Sequence, residues 1–469
     1  MSRTTGPTTG PEQQHARNPP LEGVREPSSA APSTPAADAP THVWRTRRPG
    51  RTATIAGIGT TVVTALPVFL VGGLSMQLRA STGLTESMLG IVVAAYWGAS
   101  ALLSPLAGSL STRLGFRWGM VMASSIGGLA LIGIAAYTPT WQWLLVWLII
   151  AGAGNSLGHP PSNALIGAGV STRRRALAFG LKQGAVPLAT FSAGLAVPAL
   201  GLTVGWQWTF AIAGALAAVA VAFLAWRVPR TPRTPRATRR TRERLPRDLR
   251  VFLILASAAS GLGAAQSSVI GAFTVTTAIG VGYTAAVAGL LLSLGSLANI
   301  IARPLAGWLA DRGIGGTLTT VSLMMLSGAI GLGGMALALP WSFAIGVVLA
   351  FGLGWGWSGL LHYAVSNAVP RFAAQATGLV QSGAYIGSAA GPFAMGFVFE
   401  YFGPTSGWLA AAGIALIAAT TAAIAARFHP TRRRARAEAR EGFREGSREE
   451  SLAESREESH VDDQAGAAT

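Results

Sequence analysis

A single lysine, Lys182, stands about seven residues inside the fifth of a series of long apolar runs, in a 469-residue chain whose other basic side chains are thirty-five arginines. At about 1.5 Å per residue this puts the amine some 10 Å from the end of the run, a costly depth for a charge unless it faces a cavity or a partner. Since arginine serves as the cation everywhere else, the lysine marks a need for a compact point charge, or for an amine able to lose its proton when buried. Gln183 follows it, and Gly180, Gly184 and Pro187 around it predict a helix that packs tightly and bends, turning polar groups toward a central space. Further polar residues interrupt the other runs: Asn155, His159, Asn163, Gln266, Asn299, His362, Tyr363, Asn367, Gln381 and Tyr385. Singly, an embedded amide serves as an interhelical hydrogen bond of about 1 kcal/mol; together these groups can line one site.

The chemistry open to such a set is binding rather than catalysis. Among the expected ligands are Lys182 to attract the substrate and Gln183, Gln266, Gln381, His362 and Tyr385 to orient it. His159 and His362, the embedded imidazoles, are candidate proton carriers. Carboxylates near the runs, Glu86, Asp311 and Glu400, all lie at their ends. Lys182 therefore has no visible counter-charge, which makes the site positive and favours anions over cations. No His-Glu-x-x-His, Gly-x-Ser-x-Gly or carboxylate pair occurs in a run, which argues against an enzyme. Without a cysteine there is neither a disulfide nor a thiolate metal site.

The elements that must hold these residues follow from composition: 50% of residues are hydrophobic and 12% charged, against roughly 25% charged in soluble domains. Apolar runs long enough to cross a bilayer cover 53–76, 88–108, 117–137, 141–165, 175–202 and 206–226, then 251–278, 284–308, 317–338, 341–364, 373–400 and 405–427. Between the two sets, residues 227–250 carry ten arginines and four prolines and cannot cross a membrane. The net charge of +17 is concentrated in alternate connections, at Arg45, Arg47, Arg48 and Arg51, Arg113 and Arg117, Arg173 to Arg175, the 227–250 linker, Arg312, Arg371 and Arg432 to Arg434. With twelve spans all of these fall on one side, and the bias of positive loops makes that side, with both termini, cytoplasmic. Residues 1–52 read as a disordered basic tail without a signal peptide, and 428–469 as a charged disordered tail.

The two sets of runs repeat one another. Pro105-Leu-Ala-Gly108-Ser-Leu-Ser-Thr-Arg113 matches Pro304-Leu-Ala-Gly307-Trp-Leu-Ala-Asp-Arg312 at a spacing of 199, and Gly180-Leu-Lys-Gln183 matches Gly378-Leu-Val-Gln381 at 198. The string from Gly307 through Asp311 and Arg312 resembles the signature loop of the major facilitator superfamily, Gly-x-Leu-Ala-Asp-Arg. Its first copy, with Gly108 and Arg113, departs from the pattern in having Thr112 where the acidic residue stands. The resemblance implies a gating loop at the cytoplasmic mouth, in which Gly307 permits close packing and Asp311 and Arg312 pair or cap helix ends. The stretch from Asn155 to Pro198 looks like the cyanate-transporter-like branch. Drug exporters of the superfamily carry a Gly-x-x-x-Gly-Pro-x-x-Gly-Gly signature on the fifth span that is absent here; the related string Gly387, Gly391, Pro392, Gly396 on the eleventh reads as a close helix crossing.

The expectation is an all-α membrane protein, with twelve transmembrane helices in two pseudo-symmetric six-helix bundles, 53–226 and 251–427, around a midplane site. Its expected function is secondary transport of a small anionic solute by alternating access. A permease exporting hydrophobic drugs, favoured by Trp97, Trp355 and Trp357, is the alternative, and a transporter-like membrane sensor is the reading from another class. A small-molecule substrate and the lipid bilayer are the expected partners of a monomer, with no nucleic acid, cofactor or metal. The abundance of Ala, Gly and Arg fits a GC-rich bacterial genome, and hence the cell membrane as location.

Overall fold

The computed structural model describes residues 49–230, 247–312, 317–369 and 372–430. The tails expected before residue 49 and after 430, most of the linker, and the side chain of Asp311 lie outside the described residues. Among those described there are thirteen α-helices and no strand: α1 (Pro49–Gly73), α2 (Ser75–Thr82), α3 (Glu86–Ala136), α4 (Trp141–Gly169), α5 (Thr172–Gln183), α6 (Ala185–Ala196), α7 (Trp206–Arg227), α8 (Arg247–Gly280), α9 (Ala285–Asp311), α10 (Thr317–Ala336), α11 (Pro340–Gly352), α12 (Ser358–Ala368) and α13 (Ala373–Arg427). Eight helical stretches are each long and apolar enough to cross a membrane. Two of them are hairpins: α3 reverses at Gly115 (φ 70°) and α13 at Gly403 (φ 80°). With α4 and the broken pair α11–α12 this gives twelve spans, the fifth being α5 and α6 together.

The reversals explain why glycine occupies them, because φ near +80° is strained for any side chain with a Cβ. They also trace the internal repeat. Gly83 (φ 69°) and Gly282 (φ 105°), in the first turn of each half, are 199 residues apart; Gly205 (φ 93°) and Gly403 (φ 80°), in the last, are 198 apart. The duplication read from two short motifs therefore runs through the connections of both halves. Neighbouring span ends come together within each half: a Cβ on Gly50 would stand 3.3 Å from the Gly169 carbonyl, Arg117 donates to the Val228 carbonyl at 2.5 Å, and Phe252 packs edge-on to His429 at 5.4 Å.

The halves close on each other at the face opposite the termini and part toward the terminal face. At the closed end, a Cβ on Gly72 of α1 would stand 2.6 Å from the Gly271 carbonyl of α8. Gly90 of α3 packs backbone to backbone on Pro392 and Gly396 of α13, and Gly289 of α9 on Gly194 of α6. A carboxylate oxygen of Glu400, ending the eleventh span, accepts the Ser87 N–H at the start of α3 at 2.7 Å, so that one half caps a helix of the other. Arg79 pairs with Glu86 nearby at 3.4 Å. Beneath lies an aromatic layer that also joins the halves, with Trp97 stacked on Tyr385 at 6.3 Å and Phe69 against Trp355 at 5.9 Å.

Helical periodicity shows the opening. Gly108 follows Gly90 on α3, Gly307 follows Gly289 on α9, and Gly378 precedes Gly396 on α13, each by eighteen residues, which at 3.6 per turn is about five turns and the same helix face. Yet a Cβ on Gly108, Gly307 or Gly378 would meet nothing within 4 Å, and the same is true of Gly180. The expected close packing at Gly307 is thus not present, because the cleft between the halves is open at that level. The string Gly387, Gly391, Gly396 does form a close crossing, against Gly261 and Ala265 of α8 and Gly90 of α3.

A bulky side chain at the closed end is expected to favour the opposite state. The chain has no cysteine, so a cysteine placed at Gly108 reports the open mouth by maleimide labelling. Combined with Gly90→Leu, its labelling rate is expected to fall severalfold; an unchanged rate would show that the Gly90 contact does not hold the closed end.

Candidate functional site

The site is built around two broken helices. A helix crossing hydrocarbon must satisfy its carbonyls internally, and a proline leaves the carbonyl four residues earlier without its N–H. In the fifth span, Pro187 does this to Gln183, where α5 gives way to α6. In the tenth, residues 353–357 leave the α-helix between α11 and α12, where the chain reads Leu-Gly-Trp-Gly-Trp.

Side chains of neighbouring helices donate to the carbonyls at these breaks. Asn299 of α9 donates to the carbonyls of Phe351 (2.5 Å) and Gly352 (3.4 Å), and Gln266 of α8 to that of Gly354 (2.6 Å). Arg303, four residues along α9 from Asn299, donates through Nε to the Asn299 Oδ1 (2.7 Å), through Nη1 to the Gln183 carbonyl (3.0 Å) and through Nη2 to the Trp355 carbonyl (3.3 Å). One guanidinium therefore spans from the second half to the break in the first, at the level of the aromatic layer.

Lys182, adjoining that break, is 3% exposed. Its ammonium donates to the Asn163 Oδ1 at 2.5 Å and lies 3.3 Å from Nδ1 of His159. When the amine is protonated it has three donors and no acceptor, and Nδ1 then presents its lone pair to it. The lysine stem packs near Gly57 of α1, so the amine sits behind Asn163, whose own side is exposed, rather than free in the cleft. The ion pair Arg79–Glu86 lies at the closed end; among the described residues no carboxylate comes within salt-bridge distance of Lys182 or Arg303.

The other expected ligands divide. Gln266 is fully buried and spends its amide on the helix break, leaving its Oε1 without a partner. His362 donates its Nδ1–H to the Ser358 carbonyl (2.8 Å), and its Nε2 is buried without a hydrogen-bond partner among the described residues. Tyr385 is 7% exposed beneath Trp97. Gln183 contributes its backbone carbonyl, not its amide, to the contacts observed. In the expected gating loop, Arg113 is exposed and the Arg312 guanidinium lies 3.6 Å over the Trp308 ring near the end of α9. Reading the sequence missed Arg303. Its signal was there: in the repeat, position 303 corresponds to Ser104, so a serine in one copy faces an arginine in the other, inside an apolar run.

Comparison with known proteins places the chain among transporters. A family model described as Major Facilitator Superfamily matches residues 52–378 and 253–458. No curated protein matches significantly. Among solved structures, the nucleoside transporter NupG superposes with a TM-score of 0.62 at 15% identity, over 80% of this chain and 99% of that one. A bacterial homolog of the human lysosomal transporter Spinster, inward-facing and occupied, gives 0.60 at 16% identity, over 83% of this chain and 98% of its own; its unoccupied inward-facing form gives 0.59 at 15%. At these identities the likeness is one of fold.

Removing a break-satisfying side chain has a measurable cost. Gln266→Leu leaves the Gly354 carbonyl unpaired and is expected to destabilise the protein by about 1 kcal/mol, read as a lower melting temperature in detergent. A variant as stable as wild type would show that the Gly354 carbonyl does not depend on Gln266.

Proposed function

The chain belongs to the major facilitator superfamily, and on that footing we propose that its cargo in secondary transport is a small anion. One observation carries this reading: Lys182 is buried against neutral partners only, with no carboxylate in reach among the described residues. A cation in a low-dielectric site with neutral neighbours is stabilised by an incoming negative charge and repels a positive one. Gln183, Gln381, His362 and Tyr385 are the candidate orienting groups, and His159, locked against the ammonium, is the candidate proton partner of Lys182. The face that carries the termini also carries the arginine-rich connections, so we assign it to the cytoplasm. On that assignment the open cleft faces inward, and Gly108, Gly307 and Gly378 approach their opposite helices when access switches to the other side of the cell membrane. The gating loop at Asp311 and Arg312 then acts at the open mouth.

Uptake or counterflow in proteoliposomes tests the cargo. Labelled small anions are expected to exchange across the membrane and cationic drugs are not, while Lys182→Gln lowers anion exchange by about tenfold or more. Transport of cationic drugs by wild type and variant alike, without anion exchange, would replace this reading with drug efflux. Reporter fusions test the orientation: an activity restricted to the cytoplasm is expected from a fusion after residue 469, and an extracytoplasmic signal would invert the assignment.

A further inference from the structure

We propose that Arg303 is the second anion-binding cation of this transporter, and that its geometry selects a planar oxyanion such as a carboxylate. This rests on the anion reading above and adds to it a residue, a half of the protein and a ligand shape. A guanidinium carries five N–H donors. Three are spent, one from each nitrogen, on Asn299, the Gln183 carbonyl and the Trp355 carbonyl. One N–H on each terminal nitrogen is left without a protein acceptor among the described residues.

Every acceptor Arg303 has is neutral, so its charge is uncompensated, and its surroundings are the half-buried wall of the cleft. Two donors on adjacent terminal nitrogens present the spacing of the two oxygens of a carboxylate, which a lysine or a spherical ion does not reproduce. Lys182 keeps one of its three donors in reserve as well, since Asn163 and His159 take two. The residue after Lys182 supplies the carbonyl that Arg303 already holds, so the two cations flank one break. Arg303 thus has two tasks, clamping the breaks in the empty protein and gripping the ligand in the loaded one.

The full-length protein in detergent tests this, with acetate and nitrate as planar probes and chloride and sulfate at matched ionic strength. Ligand binding is read as a rise in melting temperature. Wild type is expected to prefer the planar probes; Arg303→Lys is expected to raise their apparent Kd by about tenfold and to erase the preference over chloride, while Lys182→Gln weakens every anion. If Arg303→Lys keeps the wild-type affinity and preference while Lys182→Gln loses binding, Arg303 only clamps the helix breaks; the proposal then fails and the anion reading survives. If no anion protects wild type, both fall together. Should Arg303→Lys not fold, the wild-type protein decides: acetate is expected to slow modification of Arg303 by a dicarbonyl reagent, read on its peptide by mass spectrometry. Equal rates with and without acetate would overturn the assignment.

Discussion

The structure depends on a constraint set by hydrocarbon: a carbonyl that loses its helical partner inside the membrane must find another donor. Pro187 creates such a carbonyl at Gln183, and the departure from helix at residues 353–357 exposes those of Gly352, Gly354 and Trp355 and leaves that of Phe351 a long 3.4 Å bond from the Trp355 N–H. Asn299, Gln266 and Arg303 answer them. Each of these polar side chains is embedded because a backbone is broken beside it, and each break exists in a span that faces the cleft. Polar anchoring of the backbone and polar lining of the site are one arrangement of residues. Arg303 shows this most directly, since its bonds to Gln183 and Trp355 tie together the breaks of the two halves.

The second constraint is steric. Helices of the two halves meet at the closed end through glycine against backbone, at Gly72, Gly90, Gly194 and Gly289. At Gly72 and Gly90 the contact has no side chain to interdigitate, so it positions helices closely while leaving them free to separate as rigid bodies. The same helix faces, about five turns away, carry Gly108, Gly307 and Gly378 over empty space. Both ends of the interface are therefore surfaced for close approach, although one end is in contact. Glu400 capping the start of α3 adds a polar latch to the end that is shut.

Much of this was legible in the sequence. Apolar runs gave the spans, the spacings of 199 and 198 gave the duplication, and Gly180, Gly184 and Pro187 announced the bend at Lys182. What was not legible has physical causes. A buried amide reads the same whether it binds substrate or repairs a helix, and Gln266 does the second with its nitrogen. The break in the tenth span has no proline, so its freed carbonyls left no mark beyond a run of glycines and tryptophans. Arg303 adjoins the Pro304 motif in a chain rich in loop arginines, and only comparing the two copies position by position separates it from them.

The two copies differ in charge. Asn163, the partner of Lys182, corresponds to His362 at a spacing of 199, Gln183 to Gln381 at 198, and Ser100 to Asn299 at 199, so polar groups recur at equivalent places. Charge does not: Lys182 corresponds to Val380 and Arg303 to Ser104. The fifth and eighth spans, which carry the two cations, are neighbours across the closed end through Gly194 and Gly289. The pseudo-equivalent pair, the second and eleventh spans, carries neither charge and instead stacks Trp97 on Tyr385. A site formed from two like halves has thereby become one-sided, with cations along one interface and aromatic rings along the other. Duplication alone would give a symmetric cleft; on the proposed anion reading, the divergence at two positions would give a bound molecule a charged side and an apolar side.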